Sequence, residues 1–162
     1  MTSPSEVALV VLDVDGVLTD GRLWFGPDGE QAKVFDVRDG HGIKCLLEAG
    51  VRVAVISGRR SAAVDARMRE LGVKDVAQGV ADKAQALAEL LRRLRIESRH
   101  AACLVDDTPD LGLMAAVGLP AAVADAHPAV LSAARHVTRA AGGRGAVREF
   151  CDWLLAARGA KR

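Results

Sequence analysis

The sequence lacks several features that would settle its class at once. Charge of one sign is missing: 22 Lys and Arg stand against 21 Asp and Glu in 162 residues, a formal net charge of +1. Such a chain has no broad field to gather DNA or an anionic membrane, so neither nucleic acid nor membrane is expected as a partner, and any anion must be held locally. Cysteine is scarce, and Cys45, Cys103 and Cys151 are widely spaced, odd in number and set in apolar runs. They read as reduced core residues, which fits a reducing cytoplasm. His41, His100, His127 and His136 pair neither with one another nor with a cysteine at zinc spacing, which argues against a structural zinc site. No basic segment precedes a long apolar stretch near Met1, and the run Val7 to Leu12 is far too short to span a bilayer; a soluble, unexported protein is expected.

What is present is enough apolar material for a core. Half of the residues are hydrophobic, and a chain of this length buries about 68–70% of the surface its unfolded form exposes. One domain over residues 1–162 is expected, with no internal repeat and no linker.

Val7 to Val14 is a continuous apolar run ending in carboxylates, too rich in Val and Leu for a surface strand, and reads as a strand buried on both faces. Arg22 to Phe25 and Gln31 to Val37, around Gly26-Pro27-Asp28-Gly29, read as a β-hairpin carrying three of the five aromatic residues, Trp24, Phe25 and Phe35. Val51 to Ile56, Ala101 to Val105 and Pro120 to Ala124 are further buried strands. Val64, Met68 and Leu71 lie at helical spacing before Gly72, and Leu87, Leu90, Leu91 and Leu94 repeat the stripe after Asp82. Leu111 to Val117 is a helix, and Val147, Phe150, Cys151, Leu154 and Leu155 mark another after Gly142-Gly143-Arg144-Gly145. Strands alternating with helices predict an α/β fold with a doubly wound parallel sheet, the hairpin being inserted after the first strand.

In such a sheet ligands bind beyond the carboxyl ends of the strands. There the sequence sets Asp13-Val14-Asp15-Gly16, Ser57-Gly58-Arg59 and Asp106-Asp107-Thr108-Pro109-Asp110, with Lys83 opening the helix between the last two. Carboxylates gathered at one edge raise one another's pKa values unless a cation intervenes. An all-oxygen cluster suits a hard cation, Mg²⁺ first among them, which keeps waters and a substrate phosphate as ligands. Each acid taken singly is an ordinary helix cap or turn residue; Asp13 and Asp15 together at the end of a buried strand are not.

The stretch Val10 to Gly21 resembles the first motif of the haloacid dehalogenase superfamily of phosphatases, and Ser57, Lys83 and the Asp106 cluster match its later motifs in order. Val37 to Ile43, Ala122 to Pro128 and Val137 to Glu149 are similar to signatures of one branch, the 3-deoxy-D-manno-octulosonate 8-phosphate (KDO 8-phosphate) phosphatases of lipopolysaccharide biosynthesis. The resemblance implies a Rossmann-like fold and Mg²⁺ held by Asp13, the Asp15 carbonyl and Asp106. It also implies Asp13 as nucleophile, Asp15 as general acid and base, and Ser57, Gly58 and Lys83 on the phosphoryl oxygens. Asp107 and Asp110 would fix Lys83 and coordinated water. That family commonly has Gly where Val105 stands, which bears on the geometry of the last loop.

The spacing leaves no room for a cap domain: only the hairpin and one helix separate the first motif from Ser57. The resemblance supplies a homotetramer whose subunits cover each other's sites, with Arg59 or Arg67 gripping the sugar carboxylate and Arg144 completing a neighbour's site. The substrate implied is a phosphorylated sugar acid. Three other readings are weighed: a sialic-acid-type 9-phosphate phosphatase, a non-catalytic regulatory domain of a sugar-nucleotide cytidylyltransferase, and a phospho-accepting receiver. The intact set of acids disfavours the regulatory domain, and the position of Lys83 before the final acids disfavours the receiver.

Overall fold

Leu9, Val10, Val11 and Leu12 are wholly buried, which requires the strand they form, β1 (Leu9–Leu12), to lie inside a sheet covered on both faces. The structure, a computed structural model, describes residues 2–159 apart from the side chain of Gln31. Strands β4 (Arg52–Ser57) and β6 (Ala101–Val105) flank β1. Beyond them lie β5 (Asp75–Gln78) on one side and β7 (Leu119–Ala122) and β8 (His136–Val137) on the other. The order is β5-β4-β1-β6-β7-β8 and every neighbouring pair is parallel. The edge strands β5 and β8 have no counterpart among the strands read from the sequence, because neither is a continuous buried apolar run.

Helices α1 (Val37–Glu48) and α2 (Ala62–Leu71) carry the chain outward from β1 to β5, whereas α3 (Lys83–Leu94), α4 (Leu111–Ala115) and α5 (Pro128–Ala133) carry it back across toward β8. With right-handed crossovers, opposite directions of travel put the two sets on opposite faces. The closing helix α6 (Ala146–Ala157) packs along α1. This is the doubly wound α/β sheet. Its switch point lies at the carboxyl ends of β1 and β6, and no cap domain occurs among the described residues.

Several boundaries differ from the sequence reading. The first strand stops at Leu12 rather than Val14, because Val14–Leu18 forms a tight turn closed by the Thr19 amide donating to the Val14 carbonyl (3.0 Å). The hairpin arms, β2 (Trp24–Gly26) and β3 (Gly29–Ala32), are shorter, and the second cannot reach Val37 because Asp36 opens α1 by accepting from the Arg38 amide (2.8 Å). Trp24 and Phe25 remain 65% and 66% exposed, so the hairpin does not fold back on its own sheet. The helix read at Leu111 to Val117 ends at Ala115, and the strand read at Pro120 to Ala124 covers Leu119–Ala122. Cys103 and Cys151 are core residues as expected; Cys45 is only half-buried, on the His41 side of α1.

Candidate active site

The carboxyl ends of β1, β4 and β6 converge on a cleft of about 250 Å³ lined by Asp13, Asp15, Ser57, Gly58, Arg59, Lys83, Asp106, Asp107, Pro109 and Asp110. Asp13 follows the last residue of β1, Ser57 ends β4 and Asp106 follows β6. Sheet registry therefore fixes their spacing: Leu12 lies opposite Leu104 and Val55, two residues short of the acids or hydroxyl on those neighbours. Lys83 enters as the first residue of α3, whose Asp82 N-cap accepts from the Gln85 amide (2.9 Å).

The charges inside are unbalanced. Lys83 Nζ lies 2.9 Å from Asp13 Oδ1 and 2.6 Å from Asp110 Oδ1, and these three groups are nearly closed to solvent. Asp106 joins them: ligand oxygens of Asp13, Asp106 and Asp110 all lie within 4.8 Å of one another. Burial pushes the Asp106 carboxyl up, and Asp13, Asp110 and Asp107 push it further. Burial also raises Asp13, opposed by Lys83 and assisted by Asp110. For Lys83, desolvation works against the ammonium, but Asp13 and Asp110 outweigh it and its pKa is raised. One ammonium thus faces three carboxylates, and Asp106 Oδ1 is buried without a hydrogen-bond partner. An orphaned carboxylate oxygen beside two further carboxylates, with no nitrogen or sulfur donor in the set, fits a hard divalent cation.

Gly16 shows how tightly the first turn closes over these acids. Its φ is +91°, and a Cβ there would run into the Asp106 carboxylate, so only glycine allows the turn to pass the end of β6. Val105 ends β6 fully buried, and its carbonyl accepts from the Val123 amide (3.1 Å).

Asp15 faces the other way. Its carboxylate pairs with Lys33 Nζ and lies 3.6 Å from Arg59 Nε. Glu30 completes the network, 3.2 Å from Lys33 and 3.0 Å from Arg59, while the Arg59 guanidinium sits 5.9 Å from the Phe25 ring centroid. Lys33 and Glu30 were not found from the sequence. A Lys on the far arm of a hairpin carries no motif, and only the fold shows that the hairpin leans over Asp15.

Three expected side chains take other partners within the subunit. Asp107 does not reach Lys83; its carboxylate caps the Thr108 amide (2.7 Å) in the turn below Asp110, and Asp110 alone of the pair holds the lysine. Arg67 is outside the cleft, lying against Gly40 of α1 and pairing with Glu70 (2.9 Å). Arg144 borders a separate cleft between β8 and α6, 3.6 Å from Asp20.

Comparison with known proteins agrees with this fold. A family profile of haloacid dehalogenase-like hydrolases matches residues 73–150. The 3-deoxy-D-manno-octulosonate 8-phosphate phosphatase KdsC of Escherichia coli K12 is 48% identical over 154 residues, 95% of this chain and 82% of that one. The crystal structure of the Yersinia pestis 3-deoxy-D-manno-octulosonate 8-phosphate phosphatase superposes with a TM-score of 0.94 at 46% identity, covering 97% of this chain and 85% of that one. The Moraxella catarrhalis phosphatase, solved with magnesium, phosphate and KDO, gives a TM-score of 0.93 at 38% identity over 96% of this chain and 90% of that one.

Proposed function

This chain belongs to the 3-deoxy-D-manno-octulosonate 8-phosphate phosphatase branch of the haloacid dehalogenase-like hydrolases, and we propose from that premise how its residues hydrolyse KDO 8-phosphate to KDO and phosphate. The observation that carries the reading is the close trio of buried Asp13 and Asp110 with half-buried Asp106, countered by Lys83 alone. The Asp13 and Asp106 carboxylates and the Asp15 carbonyl would hold Mg²⁺, which when bound would supply neutralisation of the phosphate dianion that otherwise repels a carboxylate nucleophile.

An oxygen of Asp13 attacks phosphorus, and the bond from phosphorus to the sugar oxygen breaks, leaving an aspartyl-phosphate. Asp15 gives its proton to the departing sugar oxygen. In the second step the Asp15 carboxylate takes a proton from the water that attacks phosphorus, which releases phosphate and restores Asp13. Ser57 Oγ, the Gly58 amide and Lys83 Nζ hold the phosphoryl oxygens, where charge must be stabilised as the bonds exchange. Lys33 and Arg59 steady Asp15 at the cleft mouth, and the exposed face of Arg59 is the near-site partner for the sugar carboxylate.

The cleft is open, and the hairpin above it exposes Trp24, Phe25 and Val34. Apolar surface of this kind on a projecting element marks an interface, which supports a homotetramer whose neighbours cover one another's clefts. Arg67 and Arg144, both outside the chain's own cleft, serve in that assembly as ligands from or to a neighbour. The three free cysteines support a reducing cytoplasm; no helix among the described residues is long and apolar enough to cross a membrane.

The test is phosphate release from KDO 8-phosphate, a nine-carbon sugar-acid 9-phosphate and p-nitrophenyl phosphate, each with Mg²⁺ and with EDTA. The reading expects the highest kcat/KM for KDO 8-phosphate, loss of activity in EDTA and recovery with Mg²⁺ but poorly with Ca²⁺, which prefers more ligands at longer distance. Higher kcat/KM for the 9-phosphate would move the assignment to the sialic-acid-type phosphatases, and full activity in EDTA would refute the metal site.

A further inference from the structure

The segments 37–43, 122–128 and 137–149 contribute no side chain to the acid cleft, yet the structure ties all three to one loop, 139–145. Glu149, in the first turn of α6, accepts from the Arg139 amide through Oε1 and from the Ala140 amide through Oε2, both at 3.0 Å. Asp125, in the loop after β7, accepts from the Gly142 amide (2.9 Å). Asp39 of α1 accepts from the Arg148 amide (2.8 Å), capping α6 from a neighbouring helix because its own N-cap, Gly145, has no side chain to do so. Three carboxylates from three elements thus hold four backbone amides at or beside the loop.

The far side of the loop rests on the turn that bears Asp15. The Gly143 amide donates to the Val17 carbonyl (2.9 Å). A Cβ on Gly142 would strike the Gly16 carbonyl, and one on Gly143, whose φ is +66°, would strike the backbone of Thr19 and Asp20. Gly16 is therefore clamped, with the Asp106 carboxylate against its Cα and the 139–145 loop against its carbonyl. Such a turn cannot shift without breaking one contact or the other.

We propose that the 139–145 loop, held by Asp125 and Glu149 and seated by Asp39, is a positioning brace that fixes the Val14–Leu18 turn and with it the aim of the Asp15 carboxyl at the leaving oxygen. This rests on Asp15 being the general acid, as argued above. None of the three carboxylates touches substrate; they act through backbone alone. Proton transfer is steep in geometry, and displacement by an ångström is enough to cost about 10²-fold, so loosening the brace tells most where leaving-group protonation matters most.

The experiment compares the rate of the phosphorylation step, read as the rapid-quench burst of leaving group, on KDO 8-phosphate and on p-nitrophenyl phosphate, whose leaving group needs little protonation, for wild type, Asp125→Ala, Asp125→Asn, Gly142→Ala and Asp15→Asn. Peptide hydrogen exchange over residues 13–20 accompanies the kinetics. Asp125 is solvent-exposed, so its substitution spares the core, and Gly142→Ala disturbs the same contact by bulk. The brace predicts that Asp125→Ala lowers the phosphorylation rate on the sugar phosphate by roughly 10- to 100-fold and on the aryl phosphate by less than about threefold. It predicts faster exchange in the 13–20 peptide as well, and recovery of both readouts in Asp125→Asn, which keeps the accepting oxygen. A general structural role would lower both substrates alike and would not be rescued selectively. Unchanged exchange, or equal loss on both substrates while Asp15→Asn shows the split, overturns the brace. Loss of the split in Asp15→Asn with altered exchange in Asp125→Ala instead overturns the general-acid role of Asp15, on which the kinetic part of the proposal depends.

Discussion

Asp13 and Asp106 stand just past strands that are hydrogen-bonded on both sides, whereas Lys33 and Glu30 reach the same cleft from a two-stranded hairpin outside the sheet. On the sheet side Asp13 is buried and Asp106 half-buried, and their positions follow from registry. On the hairpin side the side chains still make close ion pairs, but the backbone beneath them has no second layer, and Trp24 and Phe25 face solvent. In the proposed reaction the difference divides the labour: the sheet ends hold the atoms that react with phosphorus, and the hairpin holds Lys33 and Glu30 against Asp15 and Arg59 at the cleft mouth. A projecting hairpin can also change its contacts without disturbing the acid cluster, which suits the part of a site that selects among sugars.

The strongest way to break this comparison is on the sheet side. Asp13→Asn is nearly isosteric, so the fold should persist, yet kcat should fall by at least roughly 10³-fold for every phosphate ester, the scale of loss seen when a nucleophile is removed. Asp15→Asn comes next: about 10²- to 10⁴-fold on the sugar phosphate, with partial rescue of the first step on p-nitrophenyl phosphate, read by a phosphorylation burst. On the hairpin side, Lys33→Met should cost only about 10- to 100-fold in kcat/KM for the sugar phosphate, the value of a charge-assisted contact. A loss as deep as that of Asp13→Asn would erase the distinction between the two sides.

Away from both lies a stability effect whose sign is fixed. Burial pushes the Asp39 carboxyl up from 3.8 to about 6, with the Arg148 amide opposing and Asp36 assisting. A raised folded pKa means the native state binds a proton that the unfolded chain has released. The contribution is therefore full below about pH 4 and lost as pH rises through about 6. Asp39→Asn, which keeps an accepting oxygen for Arg148, removes this dependence: across pH 4 to 7 wild type should lose roughly 1–3 kcal/mol relative to the variant in urea titrations. The smallest effect is expected at the hairpin tip. Trp24→Ser with Phe25→Ser should alter the unfolding free energy of the subunit by only about 0.5 kcal/mol, the range of surface substitutions, while light scattering shows a smaller particle than the proposed tetramer of the wild type; an unchanged particle size would contradict a hairpin interface.

The central strands were legible because β1, β4 and β6 are continuous apolar runs, and the acids were legible because they follow those runs directly. The edge strands were not: Asp75–Gln78 is half-buried throughout, and His136–Val137 is two residues long. Asp13, Asp15, Ser57, Lys83 and Asp106 could be named from order and spacing, and the cleft gathers them. Lys33 and Glu30 could not, since nothing in a hairpin's alternation says which ligand-facing side chain will meet Asp15. Asp107 shows the opposite failure. It sits in a run of acids, but a side chain at the start of a turn is drawn to the nearest free amide, here that of Thr108. Arg67 and Arg144 lie outside their own subunit's cleft, paired there with Glu70 and Asp20; for Arg144 that position is compatible with the role toward a neighbour expected of it.

The central claim is that Asp13 becomes covalently phosphorylated. The most direct measurement uses Asp15→Asn with p-nitrophenyl phosphate and Mg²⁺, a combination that forms the intermediate but hydrolyses it slowly. Reaction with borohydride converts an aspartyl-phosphate to homoserine, and peptide mass spectrometry locates the change. The account predicts homoserine at position 13 in amounts that match the burst of p-nitrophenol, and none in Asp13→Asn. Phosphate release with Asp13 unmodified, or reduction at Asp106 or Asp110 instead, would contradict it.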